Sequence, residues 1–134
     1  FNFSYVKKYL SRKNKNIKNI LMDQQFVAGI GNIYANEILN YSKINPLEKS
    51  AKINNNQIVK IIFFTKKILN RSIKMGGTTI SNFLSIKGNQ GTYQKEFQAY
   101  NQENENCKNY LCQGRIIKIN QSNRSTYMCN NCQK

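Results

Sequence analysis

Four cysteines lie in the last 28 residues of this 134-residue chain, spaced Cys107-x4-Cys112-x16-Cys129-x2-Cys132. Two close pairs separated by a hairpin-length segment can set four thiolates around one cation, the spacing of a tetrathiolate zinc ribbon. One Zn2+ is expected there. Its role is structural, because four thiolates leave no open coordination position, and so small a hairpin needs metal binding for its folding energy. Two disulfides are the rival arrangement, but they suit an exported chain, and no signal-peptide pattern opens this sequence. The chain has no His, so the commonest general base is missing and any chemistry must use other groups.

A second stretch with chemical potential is Ala28-Gly29-Ile30-Gly31-Asn32, set between two apolar runs. The two glycines permit crowded or left-handed backbone and let another molecule approach the main chain. Asn32 is a candidate cap for the helix that follows, and a helix N-terminus beside glycine is a ready phosphate site. A plain helix–helix turn inside an all-α core answers to the same glycine spacing. The third candidate is Arg124, placed near the tip of the hairpin between the cysteine pairs. On a metal-stapled base it is better suited to a phosphate than to idle exposure.

Charge supports that reading. Twenty-one Lys and Arg against six Asp and Glu give a net charge of +15 and a pI near 9.9. A polyanionic partner, nucleic acid first, is implied. The competing explanation is an AT-rich genome, which inflates Lys and Asn everywhere. No apolar run approaches the roughly 20 residues that span a bilayer, so no membrane partner is expected. The chain starts at Phe1 without Met, which reads as the inside of a longer protein.

The elements that must position these groups follow from periodicity. Residues 4–13 read as a short helix with Ser4 as its cap and Val6, Tyr9 and Leu10 on one face. Residues 12–16 form a basic connector. Residues 17–27 and 32–42 make the two helices around the glycines, and Asn45-Pro46 ends the second. Residues 54–75 are the longest helix, with Ile58, Ile61, Ile62, Thr65, Ile68, Leu69 and Ile73 as its apolar stripe and its cations on a solvated face. Gly76-Gly77 stops it. Residues 78–91 read as a loop with a flexible Gly88–Gly91 tip. Residues 93–100 are ordered, with helix and strand equally compatible. Residues 101–106 are a polar linker. Residues 114–119 and 125–128 are strands joined by 120–124.

Three motifs in order, QQFVAGIGNIYANE (24–37), GGTTISNFL (76–84) and the terminal RSTYMCNNCQK (124–134), carry a family resemblance over the whole chain. The sequence closely resembles the formamidopyrimidine-DNA glycosylase and endonuclease VIII family of base-excision repair enzymes, and most closely its formamidopyrimidine branch. The resemblance implies a mainly α fold: a helix–two-turn–helix domain over residues 1–100, with a lesion-closing loop near 78–92. A four-cysteine zinc-finger β-hairpin, or zinc ribbon, follows over residues 101–134. The family's N-terminal catalytic β-sandwich is absent from this chain.

By the same resemblance, Gly31, Asn32, Tyr100, Lys118 and Arg124 contact DNA phosphates, and Arg124 also serves as proton donor in δ-elimination. Thr78, Ile80, Ser81, Asn82 and Phe83 match the loop whose main chain closes over an everted purine such as 8-oxoguanine. The implied partner is double-stranded DNA carrying oxidised bases or abasic sites. The implied setting is a monomer in a bacterial cytoplasm, associated with the nucleoid.

Three departures from the family stand out. The first cysteine pair has four intervening residues where the family usually has two. Asn14 replaces a DNA-contacting lysine, with Lys13 or Lys15 as substitutes. The family's nucleophilic amino-terminal proline, its following glutamate and a sandwich lysine have no counterpart: Phe1 is no secondary amine and the nitrogen of Pro46 is an amide. The activity implied for the full-length protein is glycosylase and AP lyase, with this chain inactive alone. A non-catalytic damaged-DNA-binding protein and a ribosomal or RNA-binding zinc-ribbon module are the rival functions; the ribosomal reading does not need the GGTTISNFL loop, and a start codon just upstream of Phe1 would favour the non-catalytic binder.

Overall fold

The computed structural model describes residues 1–78 and 91–134. The chain is mostly helical and ends in a two-stranded antiparallel hairpin. Helix α1 (Phe3–Arg12) is capped by Asn2, whose Oδ1 accepts the Tyr5 N–H at 3.0 Å, so the expected cap at Ser4 lies two residues too late. Its inner side buries Val6 and Leu10.

Helix α2 (Ile17–Leu21) is much shorter than the expected 17–27. Local side chains end it. Asp23 Oδ1 accepts the Gln25 N–H at 2.9 Å, and the Asp23 carbonyl takes the N–H groups of Phe26 and Val27. Gln24 Oε1 accepts the Gly29 N–H at 3.0 Å. Such side chain–backbone bonds offer the chain an alternative to helix. The apolar residues 26 and 27 therefore belong to turns. Phe26 is buried against Tyr9 (ring centroids 4.6 Å), Tyr5 and Phe1. Gly29 supplies the left-handed step at φ +93.

Helix α3 (Asn32–Tyr41) starts directly after these turns, with Gly31 as its N-cap and no side-chain cap. The expected Asn32 cap is thus displaced by one residue, and the Asn32 side chain is used elsewhere. Helix α4 (Asn55–Lys74) has a full capping box: Asn54 Oδ1 accepts Gln57 N–H at 2.8 Å and Gln57 Oε1 accepts Asn54 N–H at 2.9 Å. It buries Ile58, Ile61, Thr65, Ile68 and Ser72. Ile73, expected in that stripe, is 75% exposed, because the buried face continues through Ser72. Gly76 and Gly77, both at positive φ, end the helix as expected.

The base of the following segment is pinned by Thr92 N–H to the Met75 carbonyl (3.0 Å) and Tyr93 N–H to the Gly77 carbonyl (3.1 Å). Residues 93–100, undecided from sequence, form a short 3-10 turn (Tyr93–Glu96) and then irregular chain.

Strands β1 (Ile116–Gln121) and β2 (Arg124–Cys129) pair in register Gln121↔Arg124 to Ile116↔Cys129. Ser122 and Asn123, both at positive φ, make a two-residue hairpin turn. Arg124 is therefore the first residue of β2 and not part of the connector. The main core gathers α1 to α4 around Ile17, Leu21, Ile30, Ile38, Leu39, Ile58 and Ile61. A second cluster, around Ala99, Cys107, Ile116, Tyr127 and Cys129, lies under the hairpin, and Tyr100 packs against both.

Candidate metal centre and nucleic-acid interface

Turns at residues 107–112 and 129–132 bring the four cysteines together: all four sulfurs lie within 4.8 Å of one another. Cys107 Sγ is 3.7 Å from Cys132 Sγ, and Cys112 Sγ is 3.6 Å from Cys129 Sγ. A tetrahedron with Zn–S bonds of about 2.3 Å has edges of about 3.8 Å, whereas a disulfide would need about 2.05 Å. The donor set fits one Zn2+ and excludes paired disulfides in this arrangement. Hydrogen-bond donors face the sulfurs: Asn131 Nδ2 (3.3 Å) and Gly114 N–H (3.4 Å) at Cys112, and Asn109 Nδ2 (3.4 Å) at Cys132. Asn131 and then Gly114 draw the Cys112 thiol down to about 6, while burial pushes Cys107 up to about 12. Gly114 must be glycine, since a Cβ there would come within 2.6 Å of Cys129 Sγ and of Asn131 Cβ. The four-residue first knuckle is accommodated by Leu111 at φ +59, with Tyr110 and Leu111 turned outward.

The hairpin is fastened to α2 and α3 by polar groups. Three donors converge on the Ser125 carbonyl: Lys18 Nζ (3.2 Å), Asn32 Nδ2 (3.1 Å) and Asn36 Nδ2 (3.4 Å). Lys18 Nζ also donates to Thr126 Oγ1 at 2.6 Å. Its side chain is only 1% exposed, and burial, followed by the neighbouring charge of Arg124, brings its pKa down to about 8. Asn36 Oδ1 accepts the Tyr127 N–H at 2.8 Å. One turn further on, Asn40 Nδ2 donates to Gln133 Oε1 (2.8 Å), which also accepts the Cys129 N–H (2.9 Å); Gln133 Nε2 reaches the Ile44 carbonyl. Asn32, Asn36 and Asn40 thus form a ladder along one side of α3 that binds the hairpin from tip to metal knuckle. Sequence reading gives Lys18, Asn36 and Asn40 no part. The four-residue spacing of the three asparagines is the signal that could have found them.

This fastening decides where the expected DNA-contacting residues stand. Arg124 is exposed and leaves the hairpin one residue before Ser125, so it emerges beside the first turn of α3. Gly31 is exposed there, and a Cβ on it would meet nothing within 4 Å. Asn32 commits its side-chain amide to Ser125, and among the described residues no acceptor meets its backbone N–H at the start of α3.

Tyr100 and Lys118 both contact Tyr127: ring centroids of Tyr100 and Tyr127 are 5.1 Å apart, and Lys118 Nζ sits 5.7 Å over the Tyr127 ring. Tyr100 is held by Glu37. That fully buried carboxylate accepts the backbone N–H groups of Gln98 (2.7 Å), Ala99 (2.8 Å) and Tyr100 (2.7 Å). Burial pushes the Glu37 pKa up and the three N–H groups pull it down. Thr78 Oγ1 is 2.9 Å from the Tyr34 hydroxyl, which also bonds Ser72 Oγ. Ile80, Ser81, Asn82 and Phe83 lie outside the described residues. Lys13 and Lys15 line a separate cleft beside α2.

Residues 1–84 match the formamidopyrimidine-DNA glycosylase H2TH domain. The chain belongs to the formamidopyrimidine-DNA glycosylase family. A formamidopyrimidine-DNA glycosylase of Prochlorococcus marinus is 41% identical over 134 residues, all of this chain and 47% of that protein. The structure of a Lactococcus lactis FPG mutant in complex with a Fapy-dG containing DNA superposes with a TM-score of 0.93 at 32% identity, covering 100% of this chain and 48% of that one. MutM in complex with carbocyclic 8-oxo-G containing DNA gives a TM-score of 0.90 at 33% identity, with the same two coverages. The chain spans about half the length of the family members it matches. Among the described residues no helix is long and apolar enough to cross a membrane.

Proposed function

We propose that this chain is the DNA-gripping part of a base-excision-repair glycosylase and AP lyase that removes oxidised purines, 8-oxoguanine and formamidopyrimidines among them. The observation that carries this reading is the convergence of Lys18, Asn32 and Asn36 on the Ser125 carbonyl, which sets Arg124 beside the uncapped start of α3. A guanidinium and a helix N-terminus side by side suit adjacent backbone phosphates. The open space beyond Gly31 supports the same conclusion, because nothing in the chain's own packing requires glycine at that φ of −99.

In this reading Gly31, Asn32, Tyr100, Lys118 and Arg124 hold the phosphates around the lesion, with Lys13 and Lys15 in reserve. The loop through Thr78, Ile80, Ser81, Asn82 and Phe83 closes over the flipped base. Flipping costs a few kcal/mol, less for a damaged base. The family's proline nucleophile, which forms the Schiff base at C1′, would come from the half that this chain does not contain. Arg124 then donates the proton of the δ-elimination step. Zn2+, held by Cys107, Cys112, Cys129 and Cys132, supplies folding energy to the hairpin that carries Arg124. The organisation follows as residues 1–100 for the helical domain and 101–134 for the zinc hairpin, working on nucleoid DNA.

Borohydride trapping on duplexes carrying 8-oxoguanine or an abasic site tests the assignment. Binding without a covalent adduct is expected of this chain. A specific adduct would place the nucleophile here, and no duplex binding at all would overturn the gripping role.

A further inference from the structure

Resting on that reading, the structure points to a phosphate seat in which Lys13 and Lys15 gain a partner not discussed so far. The connector after α1, a loose basic stretch by sequence, is tied to the segment after Pro46. Ile17 N–H donates to the Glu48 carbonyl (2.8 Å), Ser50 N–H to the Lys15 carbonyl (2.8 Å), and Asn16 and Lys49 form an antiparallel bridge. Ser50 Oγ, in a buried residue, also holds the Lys13 carbonyl at 2.6 Å. Two segments of the chain, distant in sequence, are thereby fixed edge to edge.

The consequence is a cleft of about 420 Å³ that Lys13, Lys15 and Lys49 share with the amides of Asn14, Asn16 and Asn19. Among the described residues Asp23 is the one carboxylate lining it, and it accepts from the Tyr9 hydroxyl (3.1 Å) and the Gln25 N–H (2.9 Å). Among the described residues none of the three lysines is ion-paired. Three cations against one occupied carboxylate leave the cleft positive, and its concavity raises the potential inside it. The cleft is also continuous with the hairpin tip, since Asn19 Nδ2 donates to Ser122 Oγ at 3.2 Å.

We infer that this cleft seats a duplex backbone phosphate beyond those reached by Arg124 and α3, with Lys49 as its new member. The bridge brings Lys49 to the same cleft as Lys13 and Lys15.

The test measures duplex affinity against salt for the wild-type chain and for Lys49→Gln, Lys60→Gln and Arg124→Ala. Lys60 lies exposed on α4 and loses the same charge away from the cleft. Each lost phosphate contact lowers the log–log salt slope by about 0.9. Lys49→Gln is expected to lower the slope by about that amount and weaken binding several-fold, with Lys60→Gln close to wild type. The same slope for both glutamine variants would overturn the seat, because Lys49 would then act only through net charge. Loss in Arg124→Ala with none in Lys49→Gln would remove the cleft and leave the gripping role standing. Absence of salt-sensitive duplex binding in the wild type would overturn both.

Discussion

Lys18 Nζ donates to Thr126 Oγ1 at 2.6 Å from beneath the hairpin, across 108 positions of sequence, with no carboxylate partner among the described residues. A buried ammonium satisfied only by neutral oxygens is costly, and it is retained where it fixes geometry. Here it fixes the strand that starts with Arg124.

That lysine makes stability depend on pH in a defined direction. Its folded pKa, about 8, lies below its ordinary 10.5. Between those values the unfolded chain holds the proton that the folded chain has lost, so stability rises with pH through that window. The cost of the charged form is fully present below pH 8. Lys18→Met should flatten this rise, by roughly 3 kcal/mol at most. Urea melts of both chains from about pH 7.5 to about pH 10.5 will show it; parallel curves would mean Lys18 is not the source.

Arg124→Ala is expected to weaken binding to damaged and intact duplex alike, because a phosphate carries no base identity. Arg124→Lys should restore part of the affinity and less of the geometry, since lysine is a point charge without the guanidinium fork. Anisotropy titrations with both duplexes decide the point. A loss confined to damaged DNA would reassign the arginine to the lesion itself.

Removing the metal should release the hairpin. The wild-type chain is expected to bind one zinc and Cys129→Ser none, as elemental analysis of the purified chains would show. Gly114→Ala, which drives a methyl into Cys129 Sγ and Asn131, should lower zinc affinity about tenfold or more without touching a ligand, in the range seen for groups that support ligands. Wild-type stoichiometry in Cys129→Ser would refute the tetrathiolate site.

Glu37→Gln replaces a carboxylate that accepts three consecutive N–H groups with an amide that turns a donor toward one of them. A destabilisation of about 1–3 kcal/mol is expected from the unsatisfied groups. Tyr100 should also become mobile. Amide hydrogen exchange at residues 98–100 is the direct readout, and unchanged protection there would show that the backbone is held by other means.

What the chain states locally is legible in advance. The cysteine spacing, the Gly76-Gly77 stop and the strand pair need only neighbours in sequence, and the structure bears them out. The first helix of the motif reads too long because Phe26 and Val27 continue its apolar period, while Asp23 and Gln24 spend their side chains on the backbone and end it. Ile73 reads onto the wrong face because periodicity cannot see which side a buried Ser72 takes. The asparagine ladder shows in the sequence only as a four-residue spacing, without the partner that gives it a role. Amides at positions 36 and 40 carry no role until a hairpin some ninety residues later covers them, and the Asn32 side chain reads as a cap until the same hairpin claims it.

Gln133 joins the metal knuckle to that ladder, sharing one oxygen between Asn40 and the backbone of Cys129. Coordination and grip are therefore one thermodynamic system. On the proposed function, whatever tightens the thiolate cage also firms the first turn of α3, and by reciprocity a bound duplex raises the equilibrium zinc affinity by the same free energy. Equilibrium zinc affinity, with and without DNA, thus becomes a report on the proposed grip.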